Sequence, residues 1–154
     1  MLQEGGILKH IDQLEPICFE PQEIPPPPTD ALAGRTIAIA RDEAFSFAYA
    51  ANVALLEDMG AKICHFSPVH DDCIPKEADA LWLPGGYPEL HAKELSENTS
   101  MLSSIKQFHK EGKPILAECG GFLYCMETLI ALEDTSWNMA GLMRGTGTMN
   151  NKAG

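Results

Sequence analysis

Pro114-Ile115-Leu116-Ala117-Glu118-Cys119-Gly120-Gly121 is the stretch from which the rest of the chain is best read. Pro114 to Ala117 is an apolar run of strand length, and Phe122, Met126, Leu129 and Ile130 follow it at helical spacing. A cysteine between a strand and a helix is the setting of a nucleophile elbow, where a sharp turn lifts one side chain above a sheet. Such a turn brings backbone segments close together and needs small residues at its flanks; Ala117 and Gly121 hold those places. The helix that follows sets partial positive charge beside the sulfur, and its free N–H groups can bind an oxyanion. A cysteine buried beside an ordinary packing turn would show the same local pattern.

Upstream, the same alternation of strand and helix repeats. Thr36-Ile37-Ala38-Ile39-Ala40, Ile63-Cys64-His65-Phe66 and Ala80-Leu81-Trp82-Leu83 read as strands, bounded by Gly34, by Ser67-Pro68 and by Pro84-Gly85-Gly86. Between the first two, Phe45, Ala48, Tyr49, Leu55, Leu56 and Met59 predict a helix closed by Gly60, with Asp42 placed to cap it. A second helix is predicted from Asn98–Ser100, with Met101, Leu102, Ile105 and Phe108 on one face and Gly112 at its end. Strands alternating with helices imply parallel crossovers, hence an open α/β sheet with helices on both faces. Function in such sheets collects in loops at the carboxyl ends of the strands.

Two loops of that kind stand out. The first is the elbow. The second, Pro84-Gly85-Gly86-Tyr87-Pro88-Glu89, has adjacent glycines that leave backbone N–H groups open to a ligand. Glycine and proline also end strands without any further role. Taken together, a nucleophile on one strand and the N–H groups of Gly86 and Gly120 as an oxyanion hole suit acyl transfer from an amide through a thioester. A base is still needed, and His10, His65, His70, His91 and His109 all precede Cys119 with no evident place beside it.

Composition narrows the class of partner. The formal charge is −11, from 11 Lys and Arg against 22 Asp and Glu, a surface that repels phosphate backbones and speaks against nucleic acid. No apolar run approaches the ~20 residues that cross a bilayer, and no signal peptide opens the chain, so a cytoplasmic location without membrane association is expected. Cys18, Cys64, Cys73, Cys119 and Cys125 form no C-x-x-C pair, so neither a disulfide framework nor a metal site is expected. Residues 1–33 contain Pro25-Pro26-Pro27-Pro28 and read as a proline-rich linker. Residues 143–154 are polar and glycine-containing, and read as an irregular tail after a domain spanning residues 34–142.

Several of these segments together resemble the glutaminase domain of cobyrinic acid a,c-diamide synthase, including its hydrogenobyrinic acid branch. The resemblance rests on Ile39 through Phe47, Asn52 through Ala61, Phe66-Ser67-Pro68, Leu83 through His91 and Ala117 through Gly121. It implies a flavodoxin-like, mostly parallel class I glutamine amidotransferase-like domain with its C-terminal part missing. It implies glutamine as substrate, Cys119 as thioester-forming nucleophile, and Gly86 and Gly120 as oxyanion donors, with Gly85 and Tyr87 in the same binding loop. The implied partner is an N-terminal ATPase (synthetase) domain, absent here, from which residues 1–33 would be the linker. That domain would use ATP and Mg and hold most of the corrin substrate, making the a,c-diamide on the way to cobalamin; the glutaminase domain itself would bind no cofactor.

Two departures qualify that expectation. No Gly-x-x-x-x-Gly-Lys-Ser/Thr run occurs in the 154 residues, and the family's catalytic histidine lies beyond the segment that matches Gly141-Leu142. The chain alone is therefore expected to be inactive or nearly so. Two other readings stand beside this one: a non-catalytic remnant or docking domain, and a Cys-elbow protein of the deglycase and peptidase type. In the latter a histidine often follows the cysteine directly, where this chain has Gly120.

Overall fold

Strand β1, Thr36–Ala40, shows why the sheet sits at the centre of the molecule. Ile37 and Ile39 point to one face and Ala38 and Ala40 to the other, and all four are buried. A strand buried on both faces belongs in the interior of a parallel sheet. In the computed structural model, which describes residues 15–20, 26, 29–131 and 134–149, β1 lies between β2 (Lys62–Phe66) and β3 (Ala80–Leu83). Strand β4 (Ile115–Ala117) continues the sheet in the order β2-β1-β3-β4, all parallel. The register pairs Ala38 with Leu81 and Leu83 with Ala117, which brings the carboxyl ends of β3 and β4 side by side.

Helices cover both faces. On the face of Ile37, Ile39 and Trp82 lies α1 (Ala50–Asp58), which contributes Val53 and Leu56. On the other face α2 (Ala92–Glu97) and α3 (Thr99–Lys110) supply Leu95, Met101, Leu102, Ile105 and Phe108 to the main core. Helix α3 is capped by Asn98, whose side-chain oxygen accepts from Met101 N at 3.2 Å and satisfies a donor of the first turn. It ends at Gly112, whose φ of +75° is the left-handed conformation that terminates helices.

Three expectations need correction. The first helix begins at Ala50, not near Phe45, and Asp42 caps a turn in place of a helix. Its carboxylate accepts from Ala44 N (2.9 Å), Phe45 N (3.1 Å), Val69 N (3.0 Å) and Ser67 Oγ (2.8 Å), and Phe45 is buried in the loop so formed. The helix after the elbow, α4, stops at Cys125 (Gly120–Cys125), and Met126–Ile130 is strand β5. Phe122, Met126, Leu129 and Ile130 fit helical spacing, but the backbone of Met126–Ile130 is committed to pairing with Ser136–Asn138 on one side and Met143–Thr148 on the other.

The third correction concerns the segment read as irregular from Met143. Met143–Thr148 is strand β7, parallel to β5, with β6 (Ser136–Asn138) antiparallel on the other side. Together they make a second, three-stranded sheet in the order β6-β5-β7. Gly147 sits opposite Leu129 where a Cβ would meet Leu123 Cδ2 at 2.8 Å, so the strand packs closely onto α4 and β5. Most of the linker expected over residues 1–33 lies outside the described residues. The part next to the domain is docked on it, Leu32 N donating to Met59 O at 2.8 Å and Leu32 packing on the α1 face.

Tyr124 and Cys125 close α4 inside the main core. The Tyr124 ring packs on Phe45 at 5.4 Å, and its hydroxyl is buried with no hydrogen-bond partner among the described residues. Burial, and after it the Asp42 charge, pushes the Tyr124 hydroxyl well up; burial pushes the Cys125 thiol up to about 11. Below their ordinary values both groups are neutral folded or unfolded, and their contribution to stability is complete. As pH rises from the unfolded thiol value towards about 11, the unfolded chain loses the Cys125 proton first, so stability falls. The loss is on the order of 2 kcal/mol from this thiol. Urea melts at about pH 7.5 and about pH 10.5 should show that fall, and Cys125→Ala should reduce it. Tyr124→Phe, which removes an unpaired buried hydroxyl, should leave the protein equally or more stable at neutral pH.

Candidate active site

Two hydrogen bonds hold the elbow in place. Glu118 N donates to Leu83 O at 3.0 Å and Gly121 N donates to Pro84 O at 3.0 Å, so the turn after β4 is tied to the end of β3. Between them Cys119 has φ 47° and ψ −110°. A residue with a Cβ rarely adopts a positive φ, and such strain persists where the surroundings dictate it. The surroundings here are glycine-sized. A Cβ on Gly121 would lie 2.0 Å from Leu83 O. The Cys119 side chain is exposed, above the carboxyl end of the sheet.

The second loop closes over the first. A Cβ on Gly86 would lie 2.0 Å from Ala44 O, and one on Gly120 would lie 3.0 Å from Gly86 N. Gly86 and Gly120 are both buried, yet neither backbone N–H donates to another group among the described residues. Buried backbone donors are nearly always paired, so two neighbouring ones left open beside an exposed thiol are free to donate to an oxygen atom placed there. The structure thus brings Cys119, Gly120 and Gly86 together. Gly85 is there too, but its carbonyl is engaged by Phe47 N at 3.0 Å, and Tyr87 N is engaged by Ala44 O at 3.0 Å. The Tyr87 side chain is half exposed.

Sequence reasoning passed over two side chains. Trp82 Nε1 donates to Glu118 Oε2 at 2.9 Å, drawing that carboxylate towards the α1 face and away from the sulfur's surroundings. Phe47, in the loop after β1, stands edge-on to Tyr87 with ring centroids 5.2 Å apart. Its signal was available: β1 is a central strand, and its carboxyl-end loop falls beside that of β3.

No histidine is hydrogen-bonded to Cys119 among the described residues. His70 Nε2 lies 2.7 Å from Glu43 Oε1. The Glu43 carboxyl is held below its ordinary range by its own backbone N–H, and further by His70 and His91. His65 is on β2, and His109 is in the last turn of α3; His10 lies outside the described residues. Among the described residues no cluster of three or more His, Cys, Asp or Glu side chains could hold a metal ion, and no helix is long and apolar enough to cross a membrane.

A parallel sheet with helices on both faces and a strained cysteine at a strand-to-helix turn define a flavodoxin-like fold of the class I amidotransferase and peptidase E type. A crystal structure of a peptidase E-type protein from Listeria monocytogenes superposes with a TM-score of 0.56 at 15% identity, covering 73% of this chain and 64% of that one. The chain belongs to the CobB/CobQ-like glutamine amidotransferase domain family, whose model matches residues 36–153. The match runs past the residue where the domain was expected to end, in keeping with β7.

Curated relatives include cobyrinate a,c-diamide synthase of Dehalococcoides mccartyi, 44% identical over 82% of this chain and 27% of the relative. The Herminiimonas arsenicoxydans enzyme of the same name is 48% identical over 79% of this chain and 28% of the relative. Hydrogenobyrinate a,c-diamide synthase of Pseudomonas aeruginosa is 43% identical over 87% of this chain and 30% of the relative. The chain therefore spans less than a third of the length of these relatives.

Proposed function

We propose that this domain is the glutaminase unit of a cobyrinate or hydrogenobyrinate a,c-diamide synthase, supplying ammonia for amidation of a corrin. The observation that carries the reading is the pairing of a strained, exposed Cys119 with the open N–H groups of Gly86 and Gly120. In this reading Cys119 Sγ attacks the carboxamide carbon of glutamine, and the oxygen, as it gains charge, rests on those two donors. The C–N bond then breaks, ammonia leaves carrying the thiol proton, and water releases glutamate from the thioester. ATP and Mg, and most of the corrin, would belong to an N-terminal synthetase unit of the parent enzyme. The domain itself requires no cofactor for these steps, and its setting is the cytoplasm.

Mass spectrometry of protein quenched in acid after mixing with glutamine tests the proposal. A glutamyl adduct on the peptide carrying Cys119, missing from Cys119→Ser, supports it; its absence under conditions where Cys119 reacts with a simple alkylating agent contradicts it.

One observation favours a second role beside the first. Leu116 and Leu55 are exposed along an apolar groove with Ile37, Leu56 and Trp82, on the sheet face that carries α1. An apolar groove of this kind suits a docking surface as well as a catalytic domain.

A further inference from the structure

The aromatic pair beside the thiol has no role in holding the core. Phe47 is 46% exposed and Tyr87 is 50% exposed, yet both are fixed at the backbone by crossed hydrogen bonds, Phe47 N to Gly85 O and Tyr87 N to Ala44 O, each 3.0 Å. These bonds clamp the loop after β1 to the loop after β3. They stand the two rings edge to face at 5.2 Å, a favoured aromatic geometry. The position of the ring relative to the nucleophile can be read at Gly85. A Cβ built there would lie 3.2 Å from Phe47 Cβ, 3.4 Å from Phe47 Cδ2 and 3.6 Å from Cys119 Cβ. The phenyl ring and the thiol-bearing side chain therefore flank the same glycine. Gly85 places no side chain of its own between them.

We infer that Phe47, braced by Tyr87, is a specificity-determining residue: its ring is the apolar wall against which the methylene groups of the amide substrate lie while the carboxamide reaches Cys119. The inference rests on the reading of Cys119 as a glutaminase nucleophile. The chemistry of the wall matches one class of ligand. The donors at Gly86 and Gly120 take the amide oxygen, and a phenyl ring, with no polar atom, contacts only the aliphatic part of the chain that leads to it. The wall thus favours a substrate with an unbranched, uncharged stem next to a primary carboxamide. A single methylene in a hydrophobic pocket is worth about 10- to 200-fold in discrimination, so loss of the ring should cost about tenfold or more.

Two reagents separate the wall from the nucleophile. 6-Diazo-5-oxonorleucine carries the glutamine stem and head group; iodoacetamide carries neither and reports only the accessibility and reactivity of the thiol. The rate of modification of Cys119 by each should be measured by peptide mass spectrometry on the wild-type chain, Phe47→Ala, Phe47→Leu and Tyr87→Ala. The expected result is a slowing of roughly tenfold or more with the glutamine analogue in Phe47→Ala, partly restored in Phe47→Leu, with the iodoacetamide rate within about twofold of wild type. Tyr87→Ala should follow Phe47→Ala in direction, because the bracing ring is lost. Phe47 is half exposed, so these variants are expected to fold, and a melt of each checks it.

Equal rates with the glutamine analogue in wild type and Phe47→Ala would overturn the inference while leaving the glutaminase reading intact. A parallel loss with both reagents would overturn it as well, because the ring would then act on the thiol and not on the ligand. If the wild-type chain reacts with iodoacetamide at Cys119 but never with the glutamine analogue, the glutaminase reading itself fails, and the inference fails with it.

Discussion

Gly121→Ala is expected to unfold the domain or leave it barely folded. The new methyl carbon would sit 2.0 Å from Leu83 O and 2.6 Å from Leu83 C, both backbone atoms of a buried strand. A side-chain neighbour can change rotamer to relieve an overlap; a carbonyl in the centre of a parallel sheet cannot. Relief requires α4 to move off β3, which breaks the bond from Gly121 N to Pro84 O and releases the elbow. We expect a cost of more than about 3 kcal/mol, beyond the usual penalty for overpacking and a large part of a typical domain's stability. Gly112→Ala is the control. Unlike Gly121, Gly112 has a positive φ, but nothing lies within 4 Å of its Cβ position, so its substitution should cost only about 1 kcal/mol. Circular dichroism melts of the two variants check the contrast. Equal stability of both would mean that the close approach at the elbow is not a feature of the folded chain.

The second large effect concerns turnover. Cys119 has no hydrogen-bonded histidine or carboxylate among the described residues, and the nearest carboxylate in sequence, that of Glu118, is held by Trp82. A positioned general base or acid typically contributes 10²- to 10⁴-fold. Ammonia release from glutamine by this chain is therefore expected to be slower than base-assisted turnover by about that factor. Cys119→Ala should abolish what remains, while His65→Asn, His70→Asn, His91→Asn and His109→Asn should each change it by less than about twofold. A coupled ammonia assay over hours suffices. A fast rate, or a collapse in any one histidine variant, would show that a base reaches the thiol by a route absent from this arrangement.

The elbow was legible because its determinants are local. An apolar run, a cysteine and two glycines lie within eight consecutive residues, which hold strand β4, the turn and the start of α4. The diglycine loop was legible for the same reason, and the parallel order followed from alternation. The second sheet was not. Met126–Ile130 carries apolar residues that suit either period, and only its pairing with Ser136–Asn138 and Met143–Thr148 decides for a strand. The pairing with Met143–Thr148 joins residues far apart in the chain, and periodicity within a segment does not display it. Thr146, Gly147 and Thr148 look like a tail until they are placed against Thr128, Leu129 and Ile130.

Phe45 and Phe47 were hidden in a different way. The spacing of Phe45 to Ala48 and Tyr49 fits a helix, but the carboxylate of Asp42 satisfies the N–H groups of Ala44 and Phe45 in a turn and holds the chain out of helical geometry until Ala50. One residue pair thereby changes place. Phe45 is buried in the core and Phe47 is left half exposed against Tyr87.

The most direct test of the account is modification of the intact chain by 6-diazo-5-oxonorleucine, followed by peptide mapping of all five cysteines. The sulfur displaces dinitrogen from the diazo carbon, which takes up the thiol proton, and the adduct is stable. The account predicts a single adduct, on Cys119, with the exposed Cys18 and Cys73 unmodified because neither has a glutamine pocket beside it, and the buried Cys125 unmodified as well. No adduct on Cys119 in folded protein, or equal labelling of Cys73 and Cys119, would contradict the claim that this elbow and its two open N–H groups form a glutamine site.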